Sequence, residues 1–279
     1  MMFKGRNLLI ATKHDKEKVI ASILEKELGV RCMVASNLDT DELGTFTGEV
    51  ERKDDPITTV RNKCLRAMEI YNIDLAIASE GSFGPHPTIG FVPADDEILM
   101  LIDKKNDLEI ITREVSTDTN LNRAEIKTHK ELEEFSSNAR FPSHGLILRK
   151  AKDDFTEIVK GVTNEEELIS TFNRFILNHR SVYIETDMRA MYNPTRMKVI
   201  EKATKKLVEK INAICPCCGI PGFGIVDFKP GLPCERCNFP TRSTLSHIYI
   251  CQKCSFVKEV KFPNNKFAED PMYCDICNP

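Results

Sequence analysis

Four Cys-x-x-Cys pairs near the C-terminus constrain this chain more than any other feature of its sequence. The chain has 279 residues and 11 cysteines. A Cys-x-x-Cys turn presents two thiolates to one metal ion, and two such turns complete a tetrahedral zinc site. The sequence therefore predicts a double zinc-ribbon domain over residues 213–279 that binds two zinc ions. The eight predicted ligands are Cys215, Cys218, Cys234, Cys237, Cys251, Cys254, Cys274 and Cys277.

The spacing of these pairs bears on which of them share an ion. Fifteen residues separate the first two pairs, and nineteen separate the last two. Both gaps suit a ribbon in which a hairpin carries one turn to the next, so the spacing favours sequential pairing. Interleaved and nested pairing are the alternatives, because sequence alone does not fix connectivity. Four protein ligands leave no position for a catalytic water, so we expect both zinc ions to be structural.

The overall charge and hydropathy exclude several classes of protein. The formal net charge of −3 and the pI of about 6.1 argue against a surface coated uniformly for nucleic-acid binding. No apolar run approaches the ~20 residues of a membrane span, and the N-terminus lacks a signal-peptide pattern. We expect a cytoplasmic protein without a membrane partner. The zinc tail still carries basic side chains that could dock nucleic acid or protein, or simply be solvated: Lys229, Arg236, Arg242, Lys253, Lys258, Lys261 and Lys266.

The first part of the chain, residues 1–212, alternates the patterns of strand and helix. Short apolar runs predict strands, and apolar residues at helical spacing predict the helices between them. This order favours an α/β domain with a mixed, partly parallel sheet and flanking helices. The predicted strands are 7–11, 30–36, 75–79, 97–103, 108–115, 145–150, 156–161 and 181–185. The predicted helices are 15–28, 56–71, 122–138, 164–178 and 195–211.

Polar side chains concentrate where the first three predicted strands end. Parallel strands point their carboxyl ends to one edge of a sheet, where ligands of α/β proteins bind. Basic groups at the start of a helix form an anion site, and we expect phosphate to be bound by Thr12, Lys13, His14, Lys16, Arg61, Arg189 and Arg196. Carboxylates opposite such groups suit Mg²⁺, and we expect its ligands to be Asp39, Asp41 and Glu80.

Three residues are candidates for moving a proton or positioning a water molecule: Glu80, His86 and Glu49. His86 lies between two prolines in the stretch ASEGSFGPHP, a few residues after Glu80. The alternative reading makes such residues ordinary turn and cap residues. The sequence also predicts that Asp95, Asp96 and Glu97 form a solvated start of the next strand.

Several motifs resemble known families. The stretches ATKHDKEKVIASIL, DTDELGTFTGEVER, TTVRNKC and ASEGSFGPHP, with the CPCCG and CERC tail, resemble an uncharacterised bacterial family known only as a domain of unknown function. Over about the first hundred residues the chain is distantly similar to the inosine/xanthosine triphosphate pyrophosphatase superfamily. That resemblance implies a phosphate loop at Thr12, Lys13 and Lys16 and a metal-binding turn at Glu80-Gly81.

Two functions of different classes follow. The first is a metal-dependent enzyme that acts on a nucleotide or other phosphorylated small molecule, for which a nucleotide pyrophosphatase or phosphohydrolase is one form. The second is a non-enzymatic zinc-ribbon adaptor that binds nucleic acid or protein and whose α/β domain senses a ligand. No Walker loop, dinucleotide fingerprint or nucleophile motif narrows the chemistry further.

Overall fold

The computed structural model describes residues 2–36 and 54–279. The chain divides into two compact units, Met1–Leu207 and Val208–Pro279. The division between Leu207 and Val208 lies inside a helix that ends at Asn212. The sequence predicts the domain boundary at the end of this helix, between residues 212 and 213.

The first unit contains two sheets and the helices that cover them. Its helices are α1 (Glu17–Leu28), α2 (Pro56–Tyr71), α3 (His129–Asn138), α4 (Glu165–His179) and α5 (Pro194–Asn212), of which α5 continues into the second unit. Its strands are β1 (Asn7–Ala11), β2 (Arg31–Val34), β3 (Leu75–Pro85), β4 (Pro93–Asp103), β5 (Leu108–Ser116), β6 (Arg123–Ile126), β7 (Leu146–Ala151), β8 (Asp154–Val162) and β9 (Val182–Thr186).

The first sheet is mixed, with strand order β2-β1-β3-β4-β5. β1 pairs in parallel with β2 and β3, whereas β4 and β5 continue the sheet as an antiparallel meander. β1 is apolar over Leu8–Ala11 and buried there on both faces, as a central parallel strand requires. The predicted mixed, partly parallel sheet with flanking helices is confirmed.

Helix α2 shows how local sequence places an element on this sheet. Asp55 caps its first turn by accepting hydrogen bonds from two backbone N–H groups, and Pro56 occupies the first helical position. One side of the helix is apolar and packs in one core with alternate residues of β1, β3 and β4; it includes Val60, Cys64 and Met68. The helix therefore covers one face of the sheet.

The second sheet is antiparallel, with strand order β6-β9-β7-β8. Phe135 of α3 and Phe172 and Phe175 of α4 share a core with alternate residues of these strands. The predicted helix 122–138 is wrong in its first part, because residues Arg123–Ile126 form β6. The helix starts only after Thr128, whose side chain forms a reciprocal capping box with Glu131.

The hairpin of β3 and β4 is longer than its sequence suggested. The predicted strand ended at Ser79, but β3 runs for 11 residues to Pro85 and stays paired with β4 along its whole length. Glu80 and Gly81 therefore lie inside a strand and not in a loop. Likewise, Asp95 and Glu97 lie inside β4 with at most 1% of their surface exposed, so the predicted solvated start is wrong for both.

The second unit is built on a three-stranded antiparallel meander. Its strands are β10 (Gly224–Pro230), β11 (Thr244–Ile250) and β12 (Val257–Lys261), in the order β10-β11-β12. Phe223, Tyr249 and Phe256 form a small aromatic cluster beside two of the cysteines. Apolar packing in this unit is therefore slight, and its fold needs another source of stability.

Across residues 2–36 and 54–279, no helix has the combined length and apolar character required to cross a bilayer.

The two clusters that we have described in the first unit include no residue beyond Ile184. We therefore expect a chain that ends at Asn212 to fold and to melt cooperatively in thermal denaturation followed by circular dichroism. A zinc chelator should leave its melting temperature unchanged, whereas it should alter the melting of the full chain. Recovery of the shortened chain only as aggregate would contradict this prediction.

Candidate functional site

The site lies where the order of the parallel strands reverses. β1 stands between β2 and β3, so the chain leaves β1 to one side and later returns to its other side. In open α/β sheets, ligands bind at the carboxyl ends of the strands on either side of such a point. Thr12 directly follows β1, and Ser79 follows Ala78, the partner of Ala11. We call the carboxyl end of β1, with the part of β3 that continues beyond it and the facing part of β4, the rim.

Lys16 brings a buried cation to the rim from the start of α1. Only 5% of its surface is exposed. Its Nζ donates a hydrogen bond of 3.1 Å to Ser79 Oγ and lies 3.9 Å from Glu97 Oε2. Burial, and then the positive charge of Arg196, lower the pKa of Lys16 to about 8. The ammonium is thus buried beside the Ser79 hydroxyl and the Glu97 carboxylate at the end of β1.

Glu97 and Arg196 form an ion pair whose side chains have no exposed surface. Arg196 Nε donates to Glu97 Oε1 at 2.6 Å, and Nη1 donates to the carbonyl oxygen of Met188 at 2.6 Å. Burial alone would raise the pKa of Glu97, but the charges of Arg196 and Lys16 outweigh it and the pKa is lowered. Asn193 Oδ1 accepts from the backbone N–H of Arg196 and fixes the first turn of α5.

Gly81 leaves room for this ion pair on one face of β3. It is the cross-strand partner of Glu97. A Cβ at Gly81 would lie 2.3 Å from Glu97 Oε1 and 2.4 Å from Arg196 Nη2. Any side chain at this position would therefore separate the two charged groups or push β3 away from them.

Glu80 points to the other face of β3, because successive residues of a strand alternate. Its Oε2 accepts a hydrogen bond from Lys63 Nζ of α2. Glu80 and Lys63 are 5% and 8% exposed, respectively. Glu80 is therefore a buried, paired carboxylate, and its partner Lys63 was not identified from the sequence.

Asp95 is the third carboxylate of the rim. It is the cross-strand partner of Phe83 and is 1% exposed. Burial, and then the nearby charge of Glu97, raise its pKa to about 8, so that it carries a proton at neutral pH. In the described part of the chain, three buried rim oxygens lack a hydrogen-bond partner: Thr12 Oγ1, Asp95 Oδ1 and Glu97 Oε2. Buried polar atoms are rarely left unsatisfied, so these oxygens are available to a ligand.

Other predicted phosphate ligands have different partners. Arg61 of α2 donates from Nε to Glu109 of β5 at 2.9 Å. Arg189 donates to the carboxylate of Asp187 and stacks on Tyr192. Lys16 and Arg196 therefore both contact Glu97 near the carboxyl end of β1. Arg61 and Arg189 instead form separate ion pairs, with Glu109 and Asp187.

The remaining candidates lie in turns or outside the described residues. His86 closes the β3–β4 turn: its N–H donates to the carbonyl oxygen of Val92, and its Nδ1 accepts from the N–H groups of Thr88 and Ile89. Lys13 and His14 lie in the turn from β1 into α1, where His14 has a φ of 68°. The predicted metal and catalytic residues outside the described ranges are Asp39, Asp41 and Glu49.

The eight paired cysteines form two groups of four in the second unit. One group is Cys215, Cys218, Cys251 and Cys254, and the other is Cys234, Cys237, Cys274 and Cys277. Measured Sγ–Sγ distances within the groups are 3.6 to 4.0 Å. A tetrahedron with zinc–sulfur bonds of about 2.3 Å has edges of about 3.8 Å. Both groups therefore fit a zinc ion, whereas a disulfide needs sulfurs at about 2.05 Å.

The pairing is interleaved, so the sequential pairing that the spacing favoured is wrong. Only one strand of the meander separates each pair from the next, and each strand leads to the opposite end of the sheet. The first and third pairs therefore meet at one end, and the second and fourth meet at the other. β10 has seven residues, which places the two groups roughly 20 Å apart.

Comparison with known proteins gives a family but no activity. The family model described as "Domain of unknown function (DUF6671)" matches residues 63–279. No curated protein matches the chain. Among solved structures, the lipoprotein GNA1162 from Neisseria meningitidis is similar at 15% identity over 47% of this chain and 93% of that chain, with a TM-score of 0.21. A TM-score this low carries no argument about fold or function.

Replacing Gly81 tests the fit of the buried ion pair. The Gly81→Ala change should lower the free energy of unfolding by roughly 2–4 kcal/mol, because it crowds or breaks a buried charge pair. Gly84→Ala is the matched control, since a Cβ there meets nothing within 4 Å. Its unfolding free energy should stay within about 0.5 kcal/mol of the parent in urea titrations. Equal stability of the two variants would contradict the geometry.

Double substitutions distinguish the two zinc pairings. The parent protein should contain two zinc ions. Cys218→Ser with Cys254→Ser alters one group only and should leave about one ion per chain, whereas Cys218→Ser with Cys237→Ser alters both and should leave almost none. Metal analysis of freshly purified, reduced protein makes the comparison. Sequential pairing would give the reverse result.

Proposed function

The chain belongs to the DUF6671 family, whose description assigns no activity, and we propose that it is a metal-dependent enzyme acting on a phosphorylated small molecule at the rim. One observation carries this proposal. Buried cations and carboxylates converge at the strand reversal with three oxygens that lack a hydrogen-bond partner in the described residues, and this is the part of an α/β sheet where ligands bind.

Lys16 and Thr12 are the residues that we assign to the phosphate. Lys16 follows β1 and immediately precedes α1, so its buried ammonium brings a positive charge to the end of β1, where it favours an anion. The Thr12 hydroxyl can donate to a phosphate oxygen. Arg196 receives a different role, because its Nε and Nη1 are engaged by Glu97 and Met188: it positions Glu97 and adds positive charge.

Asp95 and Glu97 are the residues that we assign to Mg²⁺. Mg²⁺ takes oxygen ligands and usually combines one or two carboxylates with water and substrate phosphates. Asp95 Oδ1 and Glu97 Oε2 are oxygens without hydrogen-bond partners in the described residues. A cation at this position would favour the ionised form of Asp95, so binding would release a proton at neutral pH. Asp39 and Asp41 remain proposed ligands, whereas Glu80 is held by Lys63 on the opposite face of β3.

Hydrolysis is the reaction that this set of groups supports best. Glu49, Glu80 and His86 are the candidate proton acceptors. One of them would take a proton from water as the water oxygen attacks phosphorus, and the phosphoanhydride bond would break with departure of the leaving phosphate. The Lys16 ammonium would stabilise the charge that develops on the phosphate oxygens, and a Mg²⁺ ion would supply Lewis-acid chemistry there. A nucleotide pyrophosphatase is the finer form of this proposal. It rests on the motifs at Thr12, Lys13 and Lys16 alone, since the comparisons show no match to that superfamily and Glu80-Gly81 lies inside a strand.

A second candidate function concerns the zinc-binding unit. Its sheet exposes apolar side chains, including Val226, Phe228 and Val257, each with more than half of its surface accessible. Residues 213–279 contain seven lysines and arginines and six acidic residues, and each zinc with four thiolates adds two negative charges. The resulting net negative charge disfavours nucleic acid, so an adaptor role would involve a protein partner that covers the exposed apolar side chains.

The cofactors that we propose are two structural zinc ions and one Mg²⁺. The eight cysteines of the two metal-binding groups form no disulfide bonds, and this suits a reducing compartment. We therefore propose a cytoplasmic location.

Turnover measurements on a panel of nucleoside triphosphates, with and without Mg²⁺, test the enzyme proposal. We expect phosphate or pyrophosphate release that requires Mg²⁺. Lys16→Gln should lower kcat/KM about 100-fold, because it removes a charged group from the developing phosphate charge. Lys18→Gln is the control on the same helix, since Lys18 is exposed and pairs with Asp15, and its kcat/KM should stay within about twofold.

Melting temperatures of both variants show that each is folded at the assay temperature. Two outcomes would contradict the enzyme proposal. One is the absence of Mg²⁺-dependent turnover on every nucleotide of the panel. The other is equal activity of the Lys16→Gln and Lys18→Gln proteins.

A further inference from the structure

A separate cavity of about 440 Å³ lies in the first unit between α3 and the start of α4. Its lining combines polar groups with five apolar side chains, those of Leu132, Phe141, Pro142, Leu168 and Ile169. This volume lies within the range of roughly 300–1,000 Å³ that is typical of small-molecule sites. No residue of the rim lines it, so it is independent of the proposed enzymatic site.

The charged side chains that line this α3–α4 cavity are negative. Glu133 of α3 and Glu165 of α4 belong to the lining, which contains no lysine or arginine. In the part of the chain that the structure describes, neither carboxylate has an ion-pair partner. Neighbouring carboxylates are engaged differently, since Glu134 pairs with Lys130 and Glu131 closes the capping box of α3. The cavity thus combines apolar side chains with two exposed carboxylates that have no ion-pair partner in the described residues.

Two other polar groups of the lining already form hydrogen bonds within the protein. Asn164 Oδ1 accepts hydrogen bonds from the N–H groups of Glu166 and Glu167 and so caps α4. Ser136 Oγ donates to the carbonyl oxygen of Leu132. The His129 ring makes an edge contact with the buried ring of Phe172, at 5.0 Å between centroids. An anion would find the start of α4 already occupied by Glu165 and two further glutamates.

We propose that the α3–α4 cavity binds a small organic cation, an amine that carries an aryl or alkyl body. The body would occupy the apolar interior, and the ammonium group would reach the carboxylates of Glu133 and Glu165. Apolar lining supplies affinity for the body, and the two unpaired charges select an ammonium over a hydroxyl or a carboxylate.

Three probes of matched shape test this inference on the full chain: 4-phenylbutylamine, 4-phenylbutan-1-ol and 4-phenylbutyrate. We expect saturable binding of the amine in NMR titrations of isoleucine methyl groups. Its affinity should exceed that of the alcohol by about three- to tenfold, since each partly exposed ion pair contributes modestly. The carboxylate should bind more weakly than either. The methyl signal of Ile169, assigned with Ile169→Val, should shift.

Matched variants identify the source of the selectivity. Glu133→Gln with Glu165→Gln should bring amine and alcohol affinities to within about twofold of each other while the protein keeps its melting temperature. Glu134→Gln is the control, because Glu134 lies on the same helix outside the cavity lining, and it should leave the preference unchanged. Binding that perturbs other methyl groups but not Ile169, equal binding of the three probes, or no saturable binding would each overturn the proposal.

Discussion

The ion pair between Glu97 and Arg196 is wholly withdrawn from water, and the geometry of the rim depends on it. Removing one partner of such a pair leaves an uncompensated buried charge, at a cost of roughly 3–5 kcal/mol. The pair requires a residue without a side chain at Gly81, and Glu97 in turn lies 3.9 Å from the Lys16 ammonium. It therefore connects the start of α5, the β3–β4 hairpin and the start of α1 at one place.

Part of the rim could be predicted from the sequence, because parallel strands deliver the residues that follow them to one edge. This rule led to Thr12, Lys16 and Glu80. The rule does not predict Asp95 and Glu97, because the antiparallel pairing of β4 with β3 brings them to the rim. In the sequence alone, the stretch PADDEIL is typical of a solvated turn. Lys63 is not predicted either, because a lysine inside an amphipathic helix is usually solvated, whereas this one faces the buried carboxylate of Glu80.

The zinc groups show the same limit in another form. Ligand identity follows from local spacing, since each Cys-x-x-Cys turn binds as a unit. Connectivity depends on whether an odd or an even number of strands lies between two turns, which spacing does not reveal. Here each interval contains a single strand, so alternate turns meet. With little apolar packing in this unit, zinc bound at both ends of the meander would supply much of its folding free energy.

We propose that the buried carboxylates Asp95 and Glu97 hold a metal ion at the rim. Crystals grown with Mn²⁺ and pyrophosphate would locate that ion by anomalous diffraction, because Mn²⁺ takes the same oxygen ligands as Mg²⁺. We expect an anomalous peak within about 2.3 Å of oxygen atoms from Asp95 and Glu97, with pyrophosphate near the Lys16 ammonium. A rim without an anomalous peak, or a peak bound only by residues elsewhere, would exclude a metal site at these carboxylates.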